Sequence, residues 1–190
     1  HVHIPLQSVS DAVLRLMHRR YDTRFFREKV ERVLACMPDA FIGVDVIVGT
    51  RGETEDYFRE AYRFMHDLHI SQFHVFSYSE RPGTKALQIP HVVTPEEKHA
   101  RSQQVLELSD KKLRAFCERF GGQTRPVLLE HAHAQGVMHG FTDNYIRVEV
   151  ETREALDNTI VPVRLGDWNE DGTALRGTLL DTDNIRQNHV

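Results

Sequence analysis

The sequence predicts an α/β unit with a parallel sheet in its first two thirds and a small all-β barrel in its last third. Strand-like and helix-like patterns alternate from residue 1 to Gly122, as they do in right-handed βαβ units. Five short β-type segments with tight turns follow, and this pattern is typical of a closed barrel of the OB type.

The chain begins with a short extended apolar segment, residues 1–6, which predicts the first strand. Ser10 is placed to cap a short helix that runs to Met17, and Thr23 to cap a second helix. Apolar residues recur at helical spacing along the second helix until Pro38 ends it.

A second strand is predicted at residues 41–48, because they are rich in β-branched residues, although Asp45 interrupts them. After a glycine-containing turn, Thr54 is placed to cap a long amphipathic helix. A third strand follows at residues 73–78. The apolar face predicted for the long helix consists of Phe58, Ala61, Tyr62, Met65 and Leu68.

The last predicted helix begins at Thr94–Pro95, with proline at the first helical position, and ends at Gly121–Gly122. Its predicted stripe is Leu106, Ser109, Leu113, Phe116, Cys117 and Phe120. The five β-type segments are Val127–Glu130, Gly136–His139, Tyr145–Val150, Thr159–Leu165 and Ala174–Leu180.

Composition excludes several classes of protein. The 190 residues carry 24 basic and 28 acidic side chains, a net charge of −4 that does not indicate general nucleic-acid binding. No apolar run is long enough for a transmembrane helix. Two cysteines are too few for a disulfide scaffold or a self-contained cysteine-ligated metal site, and they fit a reduced cytoplasm. Because the chain begins at His1 rather than Met, we expect a fragment of a longer protein.

Three segments place polar or glycine residues just beyond predicted parallel strands: residues 3–8, 45–54 and 78–84. Ligands bind at this edge of α/β sheets and barrels. A helix that begins near Thr54 would also direct its first N–H groups toward this edge. Each segment alone is explained by loop and capping residues, but three together favour a site.

Individual residues leave alternatives open. Asp45, inside an apolar strand, is explained by a structural partner or by a site. Arg81 could bind a carboxylate bidentately or be a solvated loop residue. The pairs His1/His3 and His131/His133 suggest metal ligands, but no third ligand follows at a fixed spacing, so we expect no metal site.

The β-rich part contains residues suited to RNA. Phe141, Tyr145, Arg147 and Arg125 could stack on bases and bind phosphates. The aromatic residues could equally fill the barrel core. The acidic excess of this part, which contains no lysine, counts against strong binding to the RNA backbone.

Several ordered motifs resemble a known family. The runs HIPLQS-x-SD from His3, DVIVG-x-x-GET from Asp45 and HVFSYSERPGT from His74 resemble the C-terminal half of the radical S-adenosylmethionine (SAM) methylthiotransferases. The run MHGFTDNYIRVEV from Met138 resembles their closing TRAM domain, most of all in the branch that modifies threonylcarbamoyladenosine beside the tRNA anticodon. The resemblance covers about residues 1–181.

The resemblance implies half of a partial (βα) TIM-type radical SAM barrel at residues 1–122, a five-stranded OB-like TRAM barrel at 123–181 and a frayed tail at 182–190. Such a half-barrel leaves strand edges and an apolar interior uncovered, which predicts self-association of the isolated chain. The family's CxxxCxxC cluster loop has no counterpart here, because neither Cys36 nor Cys117 matches a cluster ligand.

The family's cofactors are SAM and, in the full-length enzyme, two 4Fe–4S clusters. One cluster cleaves SAM reductively to a radical that removes the hydrogen from the target carbon. The second supplies or carries sulfur, and another SAM gives the methyl group. The fragment alone is expected to be inactive.

The resemblance also implies binding residues by motif position. For the cofactor these are Gln7, Ser8, Asp45, Ile47, Gly49, Tyr78 and Arg81. For RNA they are Arg51, Arg125, Phe141, Asn144, Tyr145 and Arg147. No catalytic residue is assigned.

Two departures from the family pattern stand near the predicted site. Val9 replaces the usual Gly, and Thr50–Arg51 replaces the usual Phe-Pro. Arg51 would add a positive charge at the pocket rim, suited to an anionic tRNA loop or to the threonylcarbamoyl carboxylate.

We therefore expect part of a cytoplasmic enzyme that methylthiolates threonylcarbamoyladenosine in the tRNA anticodon loop, with no membrane partner. The same chemistry on isopentenyladenosine or on a ribosomal protein is the alternative within enzymes. A non-catalytic TRAM-type RNA-binding module is the alternative outside them.

Overall fold

The computed structural model describes residues 1–130 and 136–180, which form two compact units. One unit is residues 2–114, and the other contains His1 and the described residues from Ala115 onward. The first unit holds three strands, three whole helices and most of a fourth helix, and the second holds five strands. In chain order the elements are β1 (Val2–Gln7), α1 (Asp11–Leu16), α2 (Thr23–Cys36), β2 (Ile42–Val48), α3 (Glu55–Asp67), β3 (Gln72–Ser77), a 3₁₀ turn (Lys85–Gln88), α4 (Pro95–Glu118), β4 (Thr124–Leu129), β5 (Val137–Thr142), β6 (Arg147–Glu151), β7 (Thr159–Trp168) and β8 (Leu175–Leu179).

The three strands of the first unit form a parallel sheet in the order β1-β2-β3. The register pairs Gln7 with Val46 and Val48 with Ser77. The carboxyl ends of all three strands therefore lie at one edge, and the predicted α/β class with a parallel sheet is confirmed.

The two faces of the sheet differ. Ile42, Val44, Val46 and Val48 of β2 are buried in one core with apolar residues of α2, α3 and α4. The alternate residues of β2 point to the opposite face, as the two-residue period of a strand requires. That face is partly open, because Phe76 of β3 is 53% exposed.

Helix caps partly match the predictions. Thr54 caps α3 by accepting the Tyr57 N–H at 3.3 Å, as predicted. The prediction for Thr23 was wrong, because Asp22 accepts the Phe25 N–H at 2.7 Å and Thr23 is the first helical residue. The Ser10 side chain makes no capping hydrogen bond, although α1 begins directly after it.

The predicted stripe of α4 is shifted by one residue in its middle. Leu106 is 41% exposed, whereas Val105 and Leu108 are buried. Ser109 lies on the buried side, where its hydroxyl accepts the Phe73 N–H and donates to the Phe73 carbonyl. The predicted start is confirmed by reciprocal bonds between Thr94 and Glu97.

The second unit contains a closed barrel in the order β4-β5-β6-β8-β7, with β6 parallel to β8 and the other pairs antiparallel. The predicted five-stranded OB-like barrel is confirmed. The strand β4 begins before the predicted Val127, because Pro126 is accommodated opposite Pro162. The strand β6 begins after Tyr145, whose φ of +68° belongs to the preceding turn.

None of the helices in the described ranges is both long and apolar enough to cross a membrane. The predicted tail at 182–190 and the pair His131/His133 lie outside the described residues.

Candidate functional site

The carboxyl edge of the sheet collects the three segments that the sequence singles out. Gln7 ends β1, Gly49 follows β2 and Tyr78 follows β3. The backbone turns sharply at the first two positions, with φ of +71° at Gln7 and +74° at Gly49. Gly49 has a steric reason to be glycine as well, since a β-carbon there would overlap the aliphatic chain of Lys98.

A buried carboxylate holds the loop after β2. Glu53 is 4% exposed and accepts the Gly49 N–H at 2.9 Å. The Gly52 N–H donates to the His91 carbonyl at 2.8 Å, which ties the loop to the chain before α4. The backbone N–H groups of both glycines thus fix the conformation of this loop.

Arg101 of α4 is the partner of this carboxylate. Its guanidinium donates to the Glu53 side chain at 2.8 Å and to the Glu53 carbonyl at 3.0 Å, and it lies 5.1 Å from the Phe58 ring centroid. Arg101 is 3% exposed. Burial raises the pKa of Glu53 above its usual value, although the Gly49 N–H and Arg101 both oppose this shift.

Lys98 of α4 reaches the same edge one turn earlier. Its ammonium donates to the Tyr78 carbonyl at 3.3 Å and lies 5.4 Å from the Tyr78 ring centroid. Together, Arg101 and Lys98 attach one helix to the segments that follow β2 and β3.

The open face of the sheet carries a polar cluster. His3 and Asp45 form a hydrogen bond of 2.6 Å between Nε2 and Oδ1. The His3 ring stacks on His74 with centroids 4.8 Å apart. A β-carbon on Gly43, in the strand between them, would lie only 3.2 Å from the His74 ring. Asp45 therefore has the partner that its position inside an apolar strand requires.

A concave pocket of about 430 Å³ lies at the carboxyl edge on the open face. Ile47 and Phe76 give it apolar walls, and Tyr78 and Arg81 lie at its end toward the loop. Three of the predicted cofactor-binding residues, Ile47, Tyr78 and Arg81, are thus brought together.

The other predicted cofactor-binding residues lie near this pocket but do not line it. The Gln7 side chain accepts a hydrogen bond from Arg19 at 3.2 Å. Ser8 is buried, and its hydroxyl is 3.5 Å from the Ser10 N–H. Asp45 faces His3, and Gly49 lies under Lys98.

Arg51 has several partners inside the chain. Its guanidinium donates to Glu80 at 2.6 Å and to the carbonyls of Leu87 and Ile89 at 2.9 and 3.2 Å. The guanidinium lowers the pKa of the Glu80 carboxyl. Arg51 therefore secures the loop between β3 and α4. The predicted role of Arg51 in RNA binding stays a prediction.

The predicted RNA-binding residues of the barrel fall into two groups. Phe141 and Tyr145 stack at 5.0 Å with an angle of 20° between the rings, and Tyr145 is 48% exposed. The Tyr145 ring also stacks on the His1 ring, with the centroids 4.4 Å apart. Arg147, also exposed, is paired across the strands with Phe141. This arrangement forms an aromatic and cationic surface of the kind that stacks on bases.

The second group contributes less to that surface. Asn144 is buried, and its side-chain oxygen accepts the Thr142 hydroxyl at 2.6 Å. Arg125 lies 3.4 Å from the Asp143 carboxylate and 4.8 Å from the Phe120 ring centroid. The contacts of Asn144 are those of a residue that shapes the turn before β6.

No group of three or more His, Cys, Asp or Glu side chains in the described part of the chain could hold a metal ion. Cys36 is exposed and Cys117 is buried. The residues described here therefore do not provide a ligand set for an iron–sulfur cluster.

Sequence reasoning assigned no role to Arg101, Lys98 or His74. A helical arginine or lysine carries no local signal for a contact with a strand end 48 or 20 residues away. The alternation of β3 could have placed His74 opposite the apolar face, but its neighbours follow only from the strand register.

Comparison with known proteins gives consistent matches. The family model of the radical SAM superfamily matches residues 1–65. A threonylcarbamoyladenosine tRNA methylthiotransferase, MtaB of Bacillus subtilis (strain 168), is 33% identical over 87% of this chain and 38% of its own length. A tRNA-2-methylthio-N(6)-dimethylallyladenosine synthase of Symbiobacterium thermophilum is 35% identical over 90% of this chain and 37% of its own length. The chain thus spans less than two fifths of these curated relatives.

The buried ion pair predicts a large effect of Arg101→Gln on folding. The substitution leaves Glu53 buried without its cationic partner, so we expect the free energy of unfolding at pH 7 to fall by about 3–5 kcal/mol. Arg59→Gln is the matched control, because Arg59 pairs with Glu55 on an exposed helix face and should cost under about 1 kcal/mol. Equal losses in urea unfolding followed by circular dichroism would contradict the assignment.

Glu53→Gln tests the pKa shift of the same site. Because the folded pKa is raised, Glu53 contributes stability that is complete below its unfolded pKa and is lost as the pH rises through the folded pKa. The wild-type free energy of unfolding, relative to that of Glu53→Gln, should therefore fall as the pH rises from about 4 toward neutrality. A difference that stays constant or rises over this range would show that the folded pKa is not raised.

Proposed function

We propose, from the membership of this chain in the radical SAM methylthiotransferase family, that it is part of an enzyme that methylthiolates an adenosine derivative in tRNA. One observation carries the proposal. The three motifs that resemble the family meet at one sheet edge, beside a pocket, where ligands of α/β folds bind.

The pocket suits the adenosine part of SAM. Its walls, Ile47 and Phe76, are apolar, and the segment after β3 adds the polar side chains of Ser79 and Thr84 to the lining. Such a combination of apolar walls and a few polar groups is typical of nucleoside sites. We propose that Ile47, Gly49, Tyr78 and Arg81 hold this cofactor, with Gln7, Ser8 and Asp45 beside them.

When bound, SAM and a 4Fe–4S cluster would supply the radical chemistry that removes hydrogen from the target carbon. The residues of this chain bind and orient: Arg101 and Glu53 hold the loop after β2, and Lys98 holds the segment after β3. Because the described residues contain no suitable cluster ligands, we propose that the two clusters of the whole protein are held by residues beyond this chain.

We propose threonylcarbamoyladenosine beside the anticodon as the substrate. The segment Met138–Val150 resembles that branch most, and the B. subtilis protein named for this nucleoside is similar over 87% of the chain. The alternative is dimethylallyladenosine, which is favoured by the 35% identity to the S. thermophilum protein named for it.

The barrel is proposed as the tRNA-binding part. Phe141, Tyr145 and Arg147 offer one aromatic pair and one cation on a surface. This surface would serve equally a non-catalytic RNA-binding module, so iron and sulfide analysis of the full-length protein separates the two functions. A full-length protein without a stoichiometric cluster would favour the module.

We also propose the division into a half-barrel at 1–122, a TRAM domain at 123–181 and a tail at 182–190, in a protein of the cytoplasm.

The direct test of the proposed function uses the full-length protein, loaded anaerobically with iron and sulfide, and tRNA that carries threonylcarbamoyladenosine. We expect mass spectrometry of the nucleosides to show the methylthio derivative when SAM and a reductant are present. Modification of dimethylallyladenosine tRNA alone would establish the alternative substrate. No methylthiolation of either tRNA at full cluster occupancy would refute the proposal.

The proposed RNA surface predicts that Tyr145→Ala and Arg147→Ala each weaken tRNA binding by the full-length protein about tenfold, because base stacking contributes about 1–3 kcal/mol per base. Arg164→Ala is the matched control, since Arg164 is also an exposed strand arginine of the barrel. Filter binding at fixed salt measures the effect. Equal losses for Arg147→Ala and Arg164→Ala would indicate unspecific charge attraction.

Self-association of the isolated chain is proposed because β1 and β3 are the edges of the sheet and Phe76 is exposed on its open face. We expect light scattering at high concentration to give a mass above 22.0 kDa. Phe76→Ser should lower that mass, and a monomeric wild-type chain would contradict the proposal.

A further inference from the structure

A second and larger pocket, of about 610 Å³, lies between the end of α1 and residues 85–90. It borders the pocket proposed for SAM, because Tyr78 and Ala86 line both. The motifs predict roles for two of its lining residues, Arg51 and Tyr78, but they assign no ligand to this pocket. A ligand held here would therefore lie next to the pocket proposed for SAM.

The mouth of this pocket is positively charged. Arg15 and Lys85 line it and are exposed, and neither has an ion-pair partner among residues 1–130 and 136–180. No carboxylate is among the described lining residues. Arg51 also lines the pocket, but Glu80 already balances its charge. The pocket therefore favours an anionic ligand.

The pocket wall contains a buried hydroxyl that lacks a partner. Thr50 is 3% exposed, and its Oγ1 makes no hydrogen bond with the described residues. A buried polar group without a partner is costly, by about 1–3 kcal/mol. A ligand with a hydrogen-bonding atom at this depth would remove that cost.

The remaining walls are apolar. Leu16, which is 40% exposed, lines the pocket together with Ile89 and Pro90. The pocket thus suits a ligand with an anionic end, hydrogen-bonding atoms and a small apolar part.

We infer that this pocket binds the threonylcarbamoyl group of the substrate nucleoside and thereby selects it over a dimethylallyl group. This inference rests on the proposed function. The threonylcarbamoyl group offers a carboxylate to Arg15 and Lys85, polar oxygen atoms to Thr50, and a methyl group to the apolar wall. A dimethylallyl group consists of carbon and hydrogen alone, so it would leave the cations and the Thr50 hydroxyl without partners.

An RNA phosphate is a second source of negative charge at the same cations. A phosphate on the surface would engage Arg15 and Lys85 regardless of the modification, and it would not need the buried hydroxyl of Thr50. The two sources are therefore separated by comparing RNAs that differ only in the modified base.

The test uses the full-length protein without reductant and three anticodon-loop hairpins that carry threonylcarbamoyladenosine, dimethylallyladenosine or adenosine at the same position. Fluorescence anisotropy measures their dissociation constants at fixed salt. We expect the double variant Arg15→Gln/Lys85→Gln to bind the threonylcarbamoyl hairpin at least tenfold more weakly and the other two hairpins as the wild type does. Arg24→Gln/Arg32→Gln, which replaces two exposed arginines of α2, is the charge-matched control and should change none of them.

The variant Thr50→Val provides an independent test in the same binding assay. Valine has the shape of threonine without the hydroxyl, so we expect weaker binding of the threonylcarbamoyl hairpin alone, by several-fold, and a thermal midpoint that does not fall. Equal weakening for all hairpins would show phosphate binding and overturn the inference. Unchanged binding in both variants would also overturn it. If the wild type methylthiolates threonylcarbamoyladenosine tRNA in either case, the proposed function stands and only the inference fails.

Discussion

The buried ion pair between Arg101 and Glu53 is the interaction on which the site depends. It lies where α4 crosses the loop after β2, and both side chains are almost completely shielded from water. Two buried charges are tolerated only when each has well-placed partners. Here the Gly49 N–H, the Glu53 carbonyl and the Glu55 carboxylate are the further partners. The loop conformation, including the positive φ of Gly49 and Gly52, is therefore coupled to the position of α4.

The same helix aligns the third strand with the second. Ser109 binds both backbone groups of Phe73 near the start of β3, and Lys98 binds the Tyr78 carbonyl just beyond its end. Helix α4 thus contacts the sheet at three levels, and two of these are at the carboxyl edge. As a result, the segments after β2 and β3 are held in place before any ligand arrives, which lowers the cost of ordering them on binding.

Local sequence patterns were sufficient to predict much of the fold. The β-branched run of β2, the cap at Thr54 and the Thr94–Glu97 start of α4 carry their signals within a few residues. The glycines and polar residues that follow the strands also lie at one edge of the sheet, as their positions in the sequence predicted. These features depend on neighbours in the chain, and so a single sequence contains them.

Contacts between residues that are far apart in the sequence could not be predicted from local patterns. The approach of His74 to His3, and of Arg101 to Glu53, depends on strand register and on how α4 packs. Arg51 is a further example. Its position in the sequence suggested a cation available to RNA, whereas its guanidinium donates to Glu80 and to two backbone carbonyls. The positive charge of the second pocket comes from residues of α1 and of the loop before α4. Neither segment alone indicates that these residues lie side by side.

SAM binding at the carboxyl edge of β1, β2 and β3 is the proposal on which the others depend. Hydrogen exchange of the full-length protein, with and without SAM, tests this binding most directly because the exchange rates report on single segments rather than on turnover. We expect slower exchange on SAM addition in residues 47–52 and 78–81, with no change in β4. Protection confined to the barrel, or absent from both loop segments at saturating SAM, would contradict it.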